Sequence, residues 1–341
     1  MGGTSSERDV SLASGLRIAE ALRSRGHAVR AIDTARGELS IADEQRLLSQ
    51  GVVKQLPPSP SELARMNAES VADTAARLPK RGECDVAFLA LHGGRGEDGT
   101  VQALLDLAGV PYTGSGHLAS ALAMDKDLSK HLFRAHDVGT ANWLMATDAS
   151  APPGTAAVAR ALGWPVIVKP SKQGSTVGLS IVKDPSELDA AITEAFQHDD
   201  EVMIEQFIAG RELTVGILGG EALPVGEIIP KHEIYDYECK YTAGMAEEIF
   251  PAPLSAEQTA AVQAQAQRAF AALKLGGCAR IDFRMSSAGE FYCLEANTLP
   301  GMTATSLIPQ AAAAAGIPFP ELCERIAQLA DDTVTTTGAA P

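Results

Sequence analysis

The stretch that decides the fold is residues 280–303, RIDFRMSSAGEFYCLEANTLPGMT. Two runs with strand character, 279–285 and 290–294, flank the polar turn Ser286-Ser287-Ala288-Gly289, a pattern that predicts a hairpin. Asp282 lies on the first strand, Glu295 ends the second, and Asn297 follows two residues later. Pairing the strands brings two carboxylates and a carboxamide oxygen to one end of the hairpin, a hard all-oxygen site suited to Mg²⁺ carrying phosphates. Arg280 shares the strand face of Asp282, because side chains alternate along a strand, and adds a fixed cation. Taken singly, each acid reads more readily as a charged residue on a solvated face than as part of a site. The group, closed by the turn-forming Pro300-Gly301, tips the reading toward a site.

The rest of the composition narrows what such a site serves. A chain of 341 residues implies two to three domains, each large enough to bury a core. With 45% hydrophobic and 21% charged residues it reads as soluble and globular. Its net charge of −15 argues against a passive electrostatic grip on nucleic acid or an anionic membrane, so an anionic substrate requires local cations. Cys84, Cys239, Cys278, Cys293 and Cys323 are odd in number and scattered, with no C-x-x-C, which favours reduced core residues over disulfides or zinc. No charged-then-apolar leader opens the chain and no apolar run reaches membrane-spanning length, so a cytoplasmic protein is expected.

Upstream of the hairpin, residues 1–8 form a Gly-Gly turn that leads into a helix carrying Val10, Leu12, Leu16, Ile18 and Leu22, followed by a short strand at 28–32. Residues 33–83 are polar and weakly patterned, with a possible helix start at Ser61-Glu62-Leu63. Residues 85–91 (DVAFLAL) read as a buried parallel strand. It runs into a glycine loop whose Gly94, Gly96 and Gly99 spell G-x-G-x-x-G. No acid follows about 20 residues on to hold a ribose, so the loop reads as substrate-facing or structural rather than dinucleotide-binding. His92, at the end of that strand, is equally a site residue or a loop histidine.

Asp125 and Lys126 open a helix to Ala135, and a strand at 164–170 carries Lys169. A flap at 171–178 (SKQGSTVG) follows, able to close over phosphates with backbone N–H groups and Ser175. It is not a P-loop, because no Gly-Lys-Ser/Thr opens a helix. Asp184-Pro185-Ser186-Glu187 starts the next helix. Strands at 202–207 and 211–218 carry Glu205 and Glu212, placed to face a nucleotide's amino group and ribose hydroxyls. Residues 232–243 (HEIYDYECKYTA) form a polar, aromatic loop of the lid or substrate-contact kind. Ser255 to Gln258 is a capping box opening a helix that ends at Gly276-Gly277. Helical segments at 311–315 and 319–330 then precede a frayed tail at 333–341.

Eight motifs in one order, GGTSSERDVS, ALHGG followed by GEDGT, PYTGSG, MDK, VIVKPSKQGSTVG, YDYECKY, RIDF and LEANTLPGMT, make nearly the whole chain resemble a D-alanine–D-alanine ligase of the ATP-grasp superfamily. The resemblance implies an α/β and α+β chain: an ATP-grasp fold with an amino-terminal Rossmann-like (pre-ATP-grasp) domain. The expected domains are a substrate domain at 1–122, a central lobe with the phosphate flap at 123–203, a carboxy-terminal lobe with lid and metal site at 204–330, and a flexible tail at 331–341. Family members carry an apolar strand before the Gly-Gly loop, whereas this chain begins at the loop, so a shortened start is expected. The GGRG order of the glycine loop also varies from some relatives, with little consequence expected.

Carried over residue by residue, the family implies that Glu7 holds the ammonium of a first D-alanine, with His92 near its carboxylate. Lys126, Lys169 and the flap at Ser175 contact ATP phosphates, while Glu205 and Glu212 match adenine and ribose contacts. Lys240 reaches the γ-phosphate, and Tyr241 links to Ser175 and Glu7 to close the site. Asp282, Glu295 and Asn297 bind two Mg²⁺ or Mn²⁺, Arg280 and the Gly301 N–H stabilise an oxyanion, and Ser306 with Leu307 receives the second substrate's carboxylate. The implied partners are ATP and two D-alanines, with neither nucleic acid nor membrane, and homodimers are usual in the family. A relative that takes a hydroxy acid such as D-lactate, a non-catalytic nucleotide-binding protein, and a dehydrogenase read from G-x-G-x-x-G are the competing readings. Tyr241 within YDYECKY resembles the dipeptide-forming type.

Overall fold

The computed structural model describes residues 1–50, 71–174, 176–235, 239 and 244–337, so the helix start read at Ser61 lies outside the described residues. Helix α1 (Arg8–Ser24) follows the Gly2-Gly3 turn and buries Val10, Leu12, Leu16 and Ile18. Strands β1 (Ile32–Asp33) and β2 (Gly37–Glu38) pair as a short hairpin, and α2 (Ile41–Gln50) and α3 (Val71–Arg77) follow. The strand expected over 28–32 is therefore displaced to its last residue. There the Met1 ammonium donates to the Ile32 carbonyl at 3.0 Å, and Thr34 N–H donates to the Met1 carbonyl at the same distance.

Residues 85–91 also differ from expectation. Leu89, Ala90 and Leu91 are buried, but the segment enters one ladder rung, the parallel bridge Ala87–Tyr112, and does not extend into a strand. Side chains satisfy backbone groups that a neighbouring strand otherwise would: Leu89 N–H donates to Thr113 Oγ1 at 3.0 Å, and Ser11 Oγ donates to the Ala90 carbonyl at 2.6 Å. A 3₁₀ turn (Gly94–Gly96) leads to α4 (Thr100–Ala108), α5 (His117–Met124) and α6 (Lys126–Ala135), the last capped by Asp125, which accepts from Leu128 N–H.

Two antiparallel sheets carry the remainder, consistent with two α+β lobes. In the first, β3 (Trp143–Ala146), α7 (Thr155–Ala161), β4 (Val166–Pro170), β5 (Ser180–Val182), α8 (Leu188–Ala195) and β6 (Val202–Gln206) give strand order β3-β6-β4-β5. Val158, Leu188 and Ile192 pack against Val168 and Ile204 beneath it. The second contains β7 (Arg211–Leu218), β8 (Glu221–Ala222), β9 (Gly226–Pro230), β10 (Ala246–Ile249), α9 (Ala256–Ala272), β11 (Cys278–Met285) and β12 (Phe291–Asn297). Its order is β10-β9-β7-β11-β12, with β8 paired to β7. The Ser255–Gln258 capping box forms in full, although α9 stops at Ala272, short of Gly276-Gly277. Helices α10 (Leu307–Ala314) and α11 (Phe319–Thr337) close the chain, and α11 extends helical backbone into the start of the expected tail.

The hairpin is present, with β12 running on through Glu295 to Asn297. Alternation sends Leu213, Val215, Ile217, Ile281 and Phe283 into a core with Val262, Ala266 and Ala269 of α9. Among the described residues the five cysteines are free and all but Cys84 are buried; burial pushes the Cys278 and Cys323 thiols up to about 12. No helix among the described residues is long and apolar enough to cross a membrane.

Gly210, which opens β7, holds φ at +141°, and a Cβ there would lie 2.0 Å from the Met285 carbonyl oxygen. Gly210→Ala is expected to destabilise the protein by about 1–3 kcal/mol, read as a lower urea midpoint; an unchanged midpoint would show that the hairpin end yields freely.

Candidate active site

The face of the β7–β11–β12 ladder turned away from the α9 core is a row of polar residues set by register. Asp282 stands opposite Thr214 on one side and Glu295 on the other, while Arg280 pairs with Asn297. Thr214 Oγ1 donates to Asp282 Oδ1 at 2.8 Å, and Asn297 Nδ2 donates to Asp282 Oδ2 at 2.9 Å. Arg280 grips the same carboxylate through Nε (2.9 Å) and Nη2 (2.8 Å). Burial disfavours the Arg280 charge, but Asp282 more than offsets it and raises the guanidinium pKa, so Arg280 is a permanent cation. Between Asp282 and Phe283 the register shifts, leaving Leu294 as an extra residue on β12. This bulge lets Cys293 stay in the core opposite Phe283 while Leu294 and Glu295 both line a cleft.

That cleft, about 950 Å³, lies between the two sheets and is lined by Lys126, Lys169, Glu205, Glu212, Asp282 and Glu295. Lys126, at the start of α6, donates to the Gln173 carbonyl at 2.7 Å and lies 3.3 Å from Glu295 Oε2. Both oxygens of buried Glu205 are held, Oε2 by Lys169 at 2.7 Å and Oε1 by Lys130. Burial opposes its ionisation, yet the charges and hydrogen bonds of Lys130 and Lys169 bring its pKa down to about 2. Glu212 pairs with Arg284 at 3.1 Å.

A second cleft of about 650 Å³ is lined by Glu7, His92, Glu97, Arg280, Asn297, Gly301, Ser306 and Leu307, with Tyr235 forming part of both walls. Glu7 is 8% exposed, and its Oε2 lies so near Gly93 and Gly174 that a Cβ on either would be within 2.8 Å or 3.1 Å of it. Neither position has room for a side chain unless Glu7 moves. His92 is buried with both ring nitrogens engaged, Nδ1 by the Leu299 carbonyl at 2.9 Å and Nε2 by Ser14 Oγ at 3.2 Å. Burial lowers its pKa, so it stands as a neutral wall. Ser306 caps α10 by position, its Oγ accepts from Thr303 N–H at 2.9 Å, and a Cβ on Gly301 would come within 2.7 Å of that Oγ.

The residues expected from sequence therefore converge on two adjoining clefts, apart from Ser175, Lys240 and Tyr241, which lie outside the described residues. Sequence reading missed Lys130, Glu97, Tyr235 and Arg284. Their signals were present: Lys130 is one helical turn after Lys126, Arg284 is two residues after Asp282 on the same strand face, and Glu97 sits inside GEDGT. Tyr235 opens the aromatic YDYECKY segment.

Comparison with known proteins supports the same reading over nearly the whole chain. The family described as "D-ala D-ala ligase N-terminus" matches residues 1–115, and "D-ala D-ala ligase C-terminus" matches residues 132–328. The chain is 45% identical over 326 residues to a D-alanine–D-alanine ligase of Syntrophotalea carbinolica, covering 96% of this chain and 93% of that protein. It is 43% identical over 341 residues to that of Geobacter sulfurreducens, covering 99% and 95%. The crystal structure of the Bacillus anthracis D-alanine–D-alanine ligase complexed with ATP superimposes with a TM-score of 0.77 at 32% identity, over 99% of this chain and 97% of that one. On sequence, fold and the convergence of its polar residues, the chain belongs to the D-alanine–D-alanine ligase family, with the ATP-grasp fold.

Proposed function

We propose that this chain joins two D-alanines to D-alanyl-D-alanine at the expense of ATP, through an acyl phosphate, as a step of peptidoglycan precursor synthesis. The observation that carries the reading is the shared wall between the clefts: Tyr235 lines both, and the Arg280–Asp282–Asn297 group spans them. A nucleotide in the first cleft would thus meet an amino acid in the second.

In this scheme Lys126 and Lys169 draw the triphosphate into the first cleft, with Glu205 and Glu212 toward adenine and ribose. Ser175 on the flap, and Lys240 on the lid near the γ-phosphate, complete the nucleotide contacts. Glu7 takes the ammonium of the first D-alanine, beside the wall formed by His92. The carboxylate of the first D-alanine attacks the γ-phosphorus, forming an acyl phosphate as the bond to the β–γ bridging oxygen breaks and ADP leaves, a step that sets anion against anion and so depends on the surrounding cations. The second D-alanine, its carboxylate received by Ser306 and Leu307, then attacks the acyl carbon through its free amine; the C–N bond forms as the C–O bond to phosphate breaks, and inorganic phosphate leaves with the amine proton. Arg280 and the Gly301 N–H hold the developing oxyanion. Tyr241, acting with Ser175 and Glu7, is assigned the closing of the site against water.

Asp282, Glu295 and Asn297 offer the hard oxygen donor set that Mg²⁺ or Mn²⁺ takes, and because Asp282 already accepts from Thr214, Arg280 and Asn297, a cation bound there would exchange for some of these partners. Two such cations would offset phosphate charge there. The proposed domains are residues 1–122, 123–203 and 204–330, in a cytoplasmic homodimer.

Phosphate release with ATP, Mg²⁺ and D-alanine is expected, none above background with L-alanine, and D-alanyl-D-alanine as product. Absence of the dipeptide would overturn the reading, and a dominant ester from D-lactate near neutral pH would redirect it to a hydroxy-acid acceptor. Asp282→Asn should lower kcat by about 100-fold or more and should also lower the unfolding midpoint, because Arg280 loses the carboxylate that compensates its buried charge; an unchanged kcat would overturn the role given to Asp282.

Glu97 supplies a pH test. It accepts from Gly93 N–H at 2.7 Å, and burial, followed by the charge of Glu7, pushes its pKa up to about 8. Its folded pKa lies above its ordinary 4.5, so ionisation favours the unfolded chain. The contribution to stability is intact below pH 4.5, lost as pH rises toward 8, and constant above. Denaturation of wild type and Glu97→Gln across this range should show the variant's relative stability rising and then levelling. A pH-independent difference would mean that Glu97 ionises normally.

A further inference from the structure

Lys130 is 0% exposed, has no place in the nucleotide contacts described above, and does not line the nucleotide cleft. Its ammonium is nonetheless fully engaged. It pairs with Glu205 Oε1, donates to Thr140 Oγ1 at 2.6 Å, and lies 5.1 Å from the centre of the Trp143 ring. Thr140 Oγ1 in turn donates to the Cys293 carbonyl at 2.8 Å, tying the lysine to β12. Lys169, on the other side of Glu205, lines the cleft and retains 8% exposure. One carboxylate is therefore shared by two lysines, of which one is locked into the fold and the other faces the nucleotide.

A buried carboxylate stripped of its only cation is strongly unfavourable, whereas a carboxylate with a second cation releases the first at far lower cost. We infer that Lys130 is a positioning residue, a permanent counter-ion for Glu205 that lets Lys169 leave the carboxylate and take the phosphates of the nucleotide. The inference rests on the ATP reading of the first cleft. Lys169 is parked on Glu205 in the free protein and transfers to phosphate on binding; Lys130 stays, keeping Glu205 ionised and aimed at the base.

The test is the affinity of the full-length protein for ATP and for adenosine, each measured by calorimetry. Wild type that binds neither would sink the ATP reading itself. In Lys130→Met, Lys169 becomes the sole partner of Glu205, so ATP affinity should fall by about 10- to 100-fold while adenosine binding holds. Adding Glu205→Gln should release Lys169 and restore most of the lost ATP-to-adenosine ratio, a rescue that a purely structural lysine does not produce. Equal losses for ATP and adenosine, or no recovery in the double variant, would overturn the inference. Should Lys130→Met fail to fold, Glu205→Gln alone decides: its ATP-to-adenosine affinity ratio should exceed that of wild type, and an unchanged ratio overturns the proposal.

Discussion

The antiparallel register of β11 between β7 and β12 is the constraint on which the site depends. It sets Asp282 against Thr214 and Glu295, and Arg280 against Asn297, while Ile281 and Phe283 face the α9 core. Because side chains alternate with a period of two, a slip of one residue would carry the apolar set into the cleft and the charges into the core. The cost of either change makes the register unique. The bulge at Leu294 is a local departure, and it aims two consecutive residues of β12 at the first cleft.

Electrostatics then explain why so many cations gather in a chain with net charge −15. Lys126, Lys130, Lys169, Arg280 and Arg284 each meet a carboxylate at the site: Glu295, Glu205, Glu205, Asp282 and Glu212 respectively. In a partly buried setting an isolated charge of either sign is costly, so the cations are held in place by acids rather than left to repel one another. A polyanionic ligand can take over part of that compensation. Under the proposed function the site would thus be preorganised for phosphate while remaining compatible with folding in its absence.

The second cleft is assembled from chain segments far apart in sequence. Glu7 comes from the turn before α1, His92 and Glu97 from the glycine loop, and Asn297 to Leu307 from the end of β12 and the start of α10. Ser14 joins these segments directly, since its Oγ meets His92 Nε2 and accepts from Met302 N–H at 3.1 Å. Placement of Glu7 therefore depends on the packing of α1 against the carboxy-terminal part, where Ile18 and Leu22 share a core with Ile308 and Leu322.

The sequence by itself determined the hairpin, the helix start at Asp125, the helix cap at Ser255, and the residue types of the site, because these follow from short-range alternation and local hydrogen bonding. The ordered motifs pointed to the family for the same reason, each being a local string. Tertiary structure alone decided that residues 85–91 enter a single ladder rung rather than a full strand, since ladder formation depends on what lies alongside. It alone decided the bulge at Leu294, because a one-residue offset leaves no mark on composition. It also decided that Lys130 and Lys169, carried on a helix and a strand, share one carboxylate. That pairing is a distance between elements remote in sequence, and only packing sets it.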